Sequence, residues 1–255
     1  MNEKDPEIIS KIITPALPLY DVGFPVIFFW SPKSGCTSLI KWYFFQLGLL
    51  QKALEYNPWV HYYRMDIYEK QENYMQKIKE QLMNGEKDIY KQVRNPYNRA
   101  VSSFFALFAN QNMMDQVFPM GKPDDLTFKQ FLYQVKNMGV ERGMIDPHIA
   151  QQYVEGEERF IQNYLHLENF ATEIRDIEKK YNLLESPIPS IIKSHHHRTL
   201  KMTDMDKQTA QPGTKSLNEI SPDYKDYYDN ETIDLVKELF KRDFEKYGYN
   251  QNHLI

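Results

Sequence analysis

Apolar and polar positions alternate between two patterns along the chain. Pro25-Val26-Ile27-Phe28-Phe29-Trp30 is a short apolar run without alternation, the mark of a strand buried on both faces. The small-residue segment Ser31 to Ser38 follows, and Leu39 to Leu47 then has the length and wide apolar face of a helix. The aromatic run Trp59 to Met65 predicts a second strand, and Asp66 to Met83 an amphipathic, charged helix. Ile89 to Val93 predicts a third strand, ended by Arg94-Asn95-Pro96, and from Tyr97 to Asn110 the spacing is helical again. Strands that alternate with helices predict an α/β chain with a central parallel sheet, flanking helices and right-handed crossovers. No internal repeat or low-complexity tract interrupts it. Residues 1–255 are expected to form a single domain, with 1–23 as an N-terminal extension and the polar stretch 203–221, which contains Pro212-Gly213, as a mobile loop.

Composition narrows the functional classes. The 255 residues carry 31 Lys plus Arg against 35 Asp plus Glu, a formal charge of -4, which excludes a broadly basic nucleic-acid or polybasic membrane surface. Any anion site must therefore be local. The single cysteine, Cys36, excludes an intramolecular disulfide and any multi-cysteine metal centre, and suits a reducing compartment. The first twenty residues carry Glu3, Lys4, Asp5, Glu7 and Lys11 and no continuous apolar core of a signal peptide. The longest apolar run, Val26 to Trp30, is far short of the ~20 residues that span a bilayer. A cytoplasmic protein without a transmembrane segment is expected, with peripheral membrane contact as the only membrane role.

Two stretches carry anion-binding chemistry. In Pro32-Lys33-Ser34-Gly35-Cys36-Thr37-Ser38, Gly35 permits close approach of backbone to an anion, the following helix offers free N–H groups and a positive dipole end, and Lys33, Thr37 and Ser38 add donors. Lys33 precedes Gly35 here, whereas a Walker A loop carries lysine after its last glycine, so an ordinary ATPase or nucleotide kinase is disfavoured. In Arg94-Asn95-Pro96-Tyr97-Asn98-Arg99-Ala100-Val101-Ser102-Ser103, an arginine at a strand end precedes a proline-opened helix with hydroxyls on its first turns. Arg94 presents the planar donor fork that suits a phosphate, and Ser102 a hydroxyl. Composition alone would leave Arg94 and Arg99 on the surface as salt-bridge partners.

Taken together, P-K-S-G-C-T-S after the first strand and R-N-P-Y-N-R-A-V-S-S after a later one resemble the paired signatures of the sulfotransferases, closest to the membrane-type carbohydrate group. Leu126 to Leu132, Leu167-Glu168-Asn169-Phe170 and the closing segment Leu235 to Tyr249 resemble further family elements, so most of the chain from Phe24 to Tyr249 is covered. Asp146-Pro147-His148-Ile149-Ala150-Gln151-Gln152 resembles the family's D-x-H-W-x-P-Q stretch, with Ile149 and Gln151 replacing its tryptophan and proline. The resemblance implies a P-loop-like phosphosulfate site for 3'-phosphoadenosine 5'-phosphosulfate (PAPS), leaving 3',5'-adenosine bisphosphate as product. It implies that Lys33, Ser34, Gly35, Cys36, Thr37 and Ser38 hold the 5'-phosphosulfate, and that Arg94 and Ser102 hold the 3'-phosphate. Ser194 to Thr199 stands where the family has P-H-x-N-x-S, and there Arg198 and Lys201 would close over the adenosine or the 3'-phosphate.

Sulfuryl transfer needs a cation for the leaving phosphate and a base for the acceptor hydroxyl. Lys33 suits the first task. Two histidines compete for the second, since an imidazole with an unperturbed pKa near 6.5 accepts a proton at neutral pH. His61 lies in the second expected strand, and related families place a catalytic histidine after that strand. His148 follows Asp146-Pro147, read as an N-cap and first helical residue, where the dipole favours neutral imidazole. His148 is alternatively a group that positions the acceptor. The His195-His196-His197 run points its side chains in alternating directions with no completing ligands, so no metal is expected. The acceptor is expected to be a carbohydrate or glycolipid hydroxyl; the alternatives are a P-loop-like nucleotide kinase, against which the missing glycine-lysine pair counts, and a catalytically silent nucleotide- or glycan-binding module of the same fold.

Overall fold

The computed structural model describes residues 5–14, 16–193 and 223–254. In chain order the elements begin with α1 (Pro6–Ile12), β1 (Val26–Trp30), α2 (Cys36–Gln46), α3 (Leu50–Tyr56), α4 (His61–Asp66) and α5 (Tyr74–Asn84). They continue with β2 (Asp88–Val93), α6 (Pro96–Phe108), α7 (Gln111–Val117), α8 (Phe128–Met138) and β3 (Asn163–His166). The chain closes with α9 (Phe170–Lys180), α10 (Ile188–Ile191), α11 (Asn230–Leu239) and α12 (Lys241–Tyr247). This is the mixed α/β class that the alternation predicts. It divides into two compact units, residues 1–93 with 154–196 and residues 94–153 with 197–255.

The first unit holds a parallel sheet of order β1-β2-β3, with Trp30 opposite Gln92 and Val93 opposite His166. All five residues of β1 are buried, which explains an apolar run without alternation. Because the strands are parallel, their C-terminal ends share one edge, and the chain leaves that edge at Ser31, Arg94 and Leu167. Behind β1, α2 packs Trp42 and Tyr43 edge-on against Phe28, the ring centroids 5.3 and 6.3 Å apart. The indole N–H of Trp42 donates to Glu178 of α9 at 2.8 Å, and the amide of Ser186 reaches the same oxygen at 3.1 Å. Burial pushes the Glu178 carboxyl up, but bonds from Ser186, Trp42 and Arg175 outweigh it and hold it below the ordinary value. On β2, Lys91 forms an ion pair at 2.5 Å with Glu157, both side chains almost wholly buried.

Two local expectations are corrected. Trp59 to Met65 is a turn leading into α4, not a strand. Asn57 Oδ1 accepts the Trp59 amide at 2.8 Å, a local Asx turn that folds the chain back, and Arg64 N–H then donates to Val60 O at 3.1 Å. Burial follows a helical spacing, with Val60, Tyr63 and Arg64 inside and Trp59 and Tyr62 exposed. Aromatic content alone had suggested β structure. Asp66 to Met83 is likewise not one helix, because a 3-10 turn at Tyr68–Lys70 and the left-handed Asn73 (φ 57°) precede α5.

The second unit is helical around an aromatic core. Phe104 of α6 meets Phe128 and Phe131 of α8 at 5.6 Å, and Tyr97 meets Phe244 of α12 at 5.0 Å. Reciprocal capping boxes open α8 (Thr127 with Gln130) and α11 (Asp229 with Thr232), and Lys129 bridges to Glu231 at 2.8 Å.

Candidate active site

The loop after β1 is the candidate anion cradle. Ser34 turns its hydroxyl inward, donating to Ser31 O at 2.6 Å and to Gln92 O at 3.2 Å, while the Gln92 side-chain amide donates to Ser34 O. These bonds tie the loop to the ends of β1 and β2, so Ser34 serves the shape of the loop through its side chain. Lys33 adopts a left-handed backbone (φ 69°), uncommon for a residue with a Cβ and worth roughly 1–3 kcal/mol of strain. Gly35 does the same (φ 85°) and N-caps α2 without a side-chain bond. A Cβ there would stand 2.4 Å from Leu167 Cδ1 and 2.8 Å from Gln92 Nε2, so the Leu167–Asn169 turn after β3 is wedged against the loop. In the first turn of α2 the Ser38 N–H donates to Gly35 O at 3.0 Å, while the Cys36 and Thr37 amides lie at the positive end of the helix dipole beside the Cys36 thiol. Ser31 Oγ and Gln92 Oε1 are buried at the loop's base with no hydrogen-bond partner among the described residues. The Ser31 hydroxyl and the N-terminus of α2 can donate to an anion, whereas Gln92 Oε1 can only accept.

His61 is brought to this cradle from the start of α4. Its Nε2 stands 3.2 Å from Thr37 Oγ1 and 3.6 Å from Cys36 Sγ, and its ring lies 4.8 Å from that of Trp59. Burial pushes the Cys36 thiol up, although the charges of Lys33 and Arg64 and the amides of Thr37 and Cys36 pull the other way. Cys36 is therefore a small neutral member of the cradle at neutral pH, and the local field is positive. Arg64, unmarked in the sequence reading, is part of that field. It is buried against Trp30 (5.1 Å, ring centroid) and paired with Glu69 at 2.5 Å. Its signal in the sequence is its place on the same helical turn as His61.

The second unit carries the other stretch. Arg94 follows β2 directly; its N–H donates to Gln152 Oε1 at 2.9 Å, its carbonyl accepts Gln152 Nε2 at 2.8 Å, and its guanidinium lies over Tyr224 at 5.3 Å. Asn95 caps α6 by accepting the Tyr97 amide at 2.9 Å, and Ser102, half-buried, stands two turns along that helix. Arg99, left on the surface by composition, is buried instead. It donates to Ala150 O at 2.7 Å and Pro147 O at 3.1 Å, and burial pushes its pKa down to about 10 against the opposing charge of Asp243.

These bonds shape residues 146–150, which form a turn, not the helix start expected at Asp146-Pro147. The amides of Ile149 and Ala150 both donate to Asp146 O at 2.9 Å, so the chain curls tightly and stops. A helix dipole therefore does not act on His148; a carboxylate does. Asp146 Oδ1 accepts the His148 N–H at 2.8 Å and lies 2.8 Å from His148 Nδ1, while Ser103 Oγ donates to His148 O at 2.5 Å. Burial pushes the Asp146 carboxyl up, yet its bonds from His148 hold it below the ordinary 3.8. With Nδ1 engaged, Nε2 of His148 is the nitrogen left for a substrate. The sequence reading missed Asp146 and Ser103 as partners of His148. The i, i+2 spacing of Asp and His was the available signal.

Arg198, Lys201, the His195-His196-His197 run and the stretch 203–221 lie outside the described residues. Among the described residues no cluster of three or more His, Cys, Asp or Glu side chains is suited to a metal ion, and no helix is long and apolar enough to cross a membrane. No curated protein and no solved structure gives a significant match to the chain. A sequence model of the sulfotransferase family matches residues 25–250, a span that runs without a break through both units. The chain thus belongs to the sulfotransferase family, with the β1 loop and the Arg94 stretch both inside the matched span.

Proposed function

We propose that the protein transfers a sulfuryl group from PAPS to a carbohydrate or glycolipid hydroxyl, with His61 as general base. The observation that carries this reading is the placement of His61 Nε2 beside Thr37 and Cys36 of the cradle. A sulfuryl group presented from that cradle has its acceptor side next to an imidazole.

PAPS supplies an activated sulfuryl group on a good phosphate leaving group. Lys33, the first-turn amides of α2 and the hydroxyls of Thr37 and Ser38 bind the phosphosulfate end, and Arg94 and Ser102 bind the 3'-phosphate. His61 Nε2 takes the hydroxyl proton as the acceptor oxygen bonds to sulfur. The bond from sulfur to the phosphate oxygen breaks, and its electron pair leaves on the 5'-phosphate of adenosine bisphosphate. Lys33 neutralises the charge that accumulates there. His148, fixed by Asp146, orients the acceptor. The lone cysteine suits a reducing compartment, and we place the protein in the cytoplasm, where the acceptor is a glycan precursor or a glycolipid headgroup.

Transfer of radiolabelled sulfate from PAPS to mixed oligosaccharide and glycolipid fractions tests this reading. The wild type labels an acceptor, and Lys33→Ala lowers the rate by roughly 10²–10³, the usual loss of one transition-state donor. A Lys33→Ala enzyme as fast as wild type removes Lys33 from the mechanism. A wild type that labels nothing while transferring phosphate from ATP replaces the reading with a kinase.

A further inference from the structure

The surface next to His61 carries aromatic rings turned to solvent. Trp59 is 36% exposed, Tyr62 44% and Tyr56 50%, in a protein whose other two tryptophans, Trp30 and Trp42, are buried. Trp59 and Tyr62 meet edge-on with centroids 5.0 Å apart, and the Trp59 ring is 4.8 Å from His61. Asp66 lies one turn beyond Tyr62 on α4, so the two share a face, and Asp66 Oδ2 accepts the Tyr56 hydroxyl at 3.2 Å. An apolar ring surface with a polar edge is the complement of a pyranose, which has one face of C–H groups and a rim of hydroxyls. Charge narrows the sugar further. The exposed ionisable side chains from residue 50 to residue 67 are Lys52, Glu55 and Asp66, and the Arg64 of this segment is buried in its pair with Glu69. One of these exposed charges is positive and two are negative, so the segment itself carries a net negative charge and favours a neutral sugar over a polyanion.

We propose that Trp59 and Tyr62 form the acceptor platform, stacking a neutral pyranoside so that one hydroxyl reaches His61 Nε2, and that uronate-bearing or already sulfated chains are poor acceptors. The inference rests on the sulfotransferase reading for the role of His61, but sugar binding is measurable by itself. Trp30 and Trp42 are buried but also fluoresce, so the Trp59 signal is the part of the spectral change lost in Trp59→Phe.

The experiment titrates neutral oligosaccharides of glucose, galactose, mannose and N-acetylglucosamine, an unsulfated chondroitin oligosaccharide and 2-naphthol into the full-length protein, with adenosine 3',5'-bisphosphate binding measured in parallel by calorimetry. A saturable spectral change with at least one neutral sugar is expected, absent in Trp59→Phe. In Tyr62→Ala the sugar affinity falls about fivefold or more while nucleotide affinity stays within about twofold. A preference for the chondroitin chain or 2-naphthol overturns the platform, as does the absence of any response to the neutral sugars, or a Tyr62→Ala protein with unchanged sugar affinity. Nucleotide binding without sugar binding removes the platform and leaves the sulfotransferase reading standing. Sugar binding without nucleotide binding does the reverse.

Discussion

In the proposed mechanism Lys33 sets function against stability at a single residue. Its left-handed backbone is a conformation that glycine adopts without strain, so Lys33→Gly is expected to fold with a melting temperature no lower than wild type while losing transfer as fully as Lys33→Ala. Thermal unfolding and sulfate transfer on the same samples check this; a clearly destabilised Lys33→Gly would show that the lysine holds the loop together. His61→Asn is expected to abolish the acid limb of the pH–rate profile, whereas His148→Asn, changing an orienting group, raises acceptor KM and keeps that limb. Asp146 adds a prediction about stability. Its carboxyl is held below 3.8 in the folded chain, so its contribution is complete above that value and is lost as pH falls through the lowered native value. Asp146→Asn should therefore be less stable than wild type in urea at about pH 7, with a gap that narrows as the pH falls below 3.8; a gap that does not change with pH removes the Asp146–His148 bond from the account. The residue types of the cradle were legible in the sequence because a loop of small residues between an apolar strand and a helix leaves few other roles. Arg99, Arg64 and Asp146 were not, because a charged residue's burial is decided by partners distant in sequence, such as Ala150 and Pro147 for Arg99.

At the scale of elements, the cradle is a three-part wedge of the β1 loop, Gln92 of β2 and Leu167 after β3. Gly35→Ala places a methyl group 2.4 Å from Leu167 in a left-handed backbone, and is expected to lower stability by about 2 kcal/mol or more and to weaken nucleotide binding. Urea unfolding and calorimetry read the two effects, and a neutral Gly35→Ala would mean that the loop has room to spare. The Lys91–Glu157 pair ties β2 to the Glu157–Arg159 turn. Lys91→Met leaves Glu157 buried without that cation and is expected to cost about 3–5 kcal/mol of stability by urea unfolding; a loss under about 1 kcal/mol would contradict that. Strands and helices with one clear period were legible: β1, β2, α2 and α6 lie where the pattern puts them. The segment from Trp59 to Met65 was not, because its aromatic content favours strand while the Asn57 turn and the burial of Val60, Tyr63 and Arg64 fix a helix. His61 thus reaches the cradle from a helix start, although a strand was expected to deliver it.

For the whole molecule, the proposed function reconciles a formal charge of -4 with an anionic donor by assigning local positive potential to strand ends. Lys33 and the N-terminus of α2 supply it after β1, and Arg94 after β2. A site built from few cations makes donor binding weaken with salt, since partly exposed charges are screened. The family is legible in the sequence from the two motifs, and the match over residues 25–250 supports it; the acceptor is not, because its surface is set by exposed rings whose roles the pattern of polar and apolar positions does not encode. The most direct test needs no acceptor. Calorimetry compares adenosine 3',5'-bisphosphate with ATP on the wild type, Lys33→Ala and Arg94→Ala. Selective binding of the bisphosphate, weakened at least about tenfold by either substitution, is the predicted result. Selective binding of ATP, or bisphosphate affinity unchanged in both variants, would contradict the account.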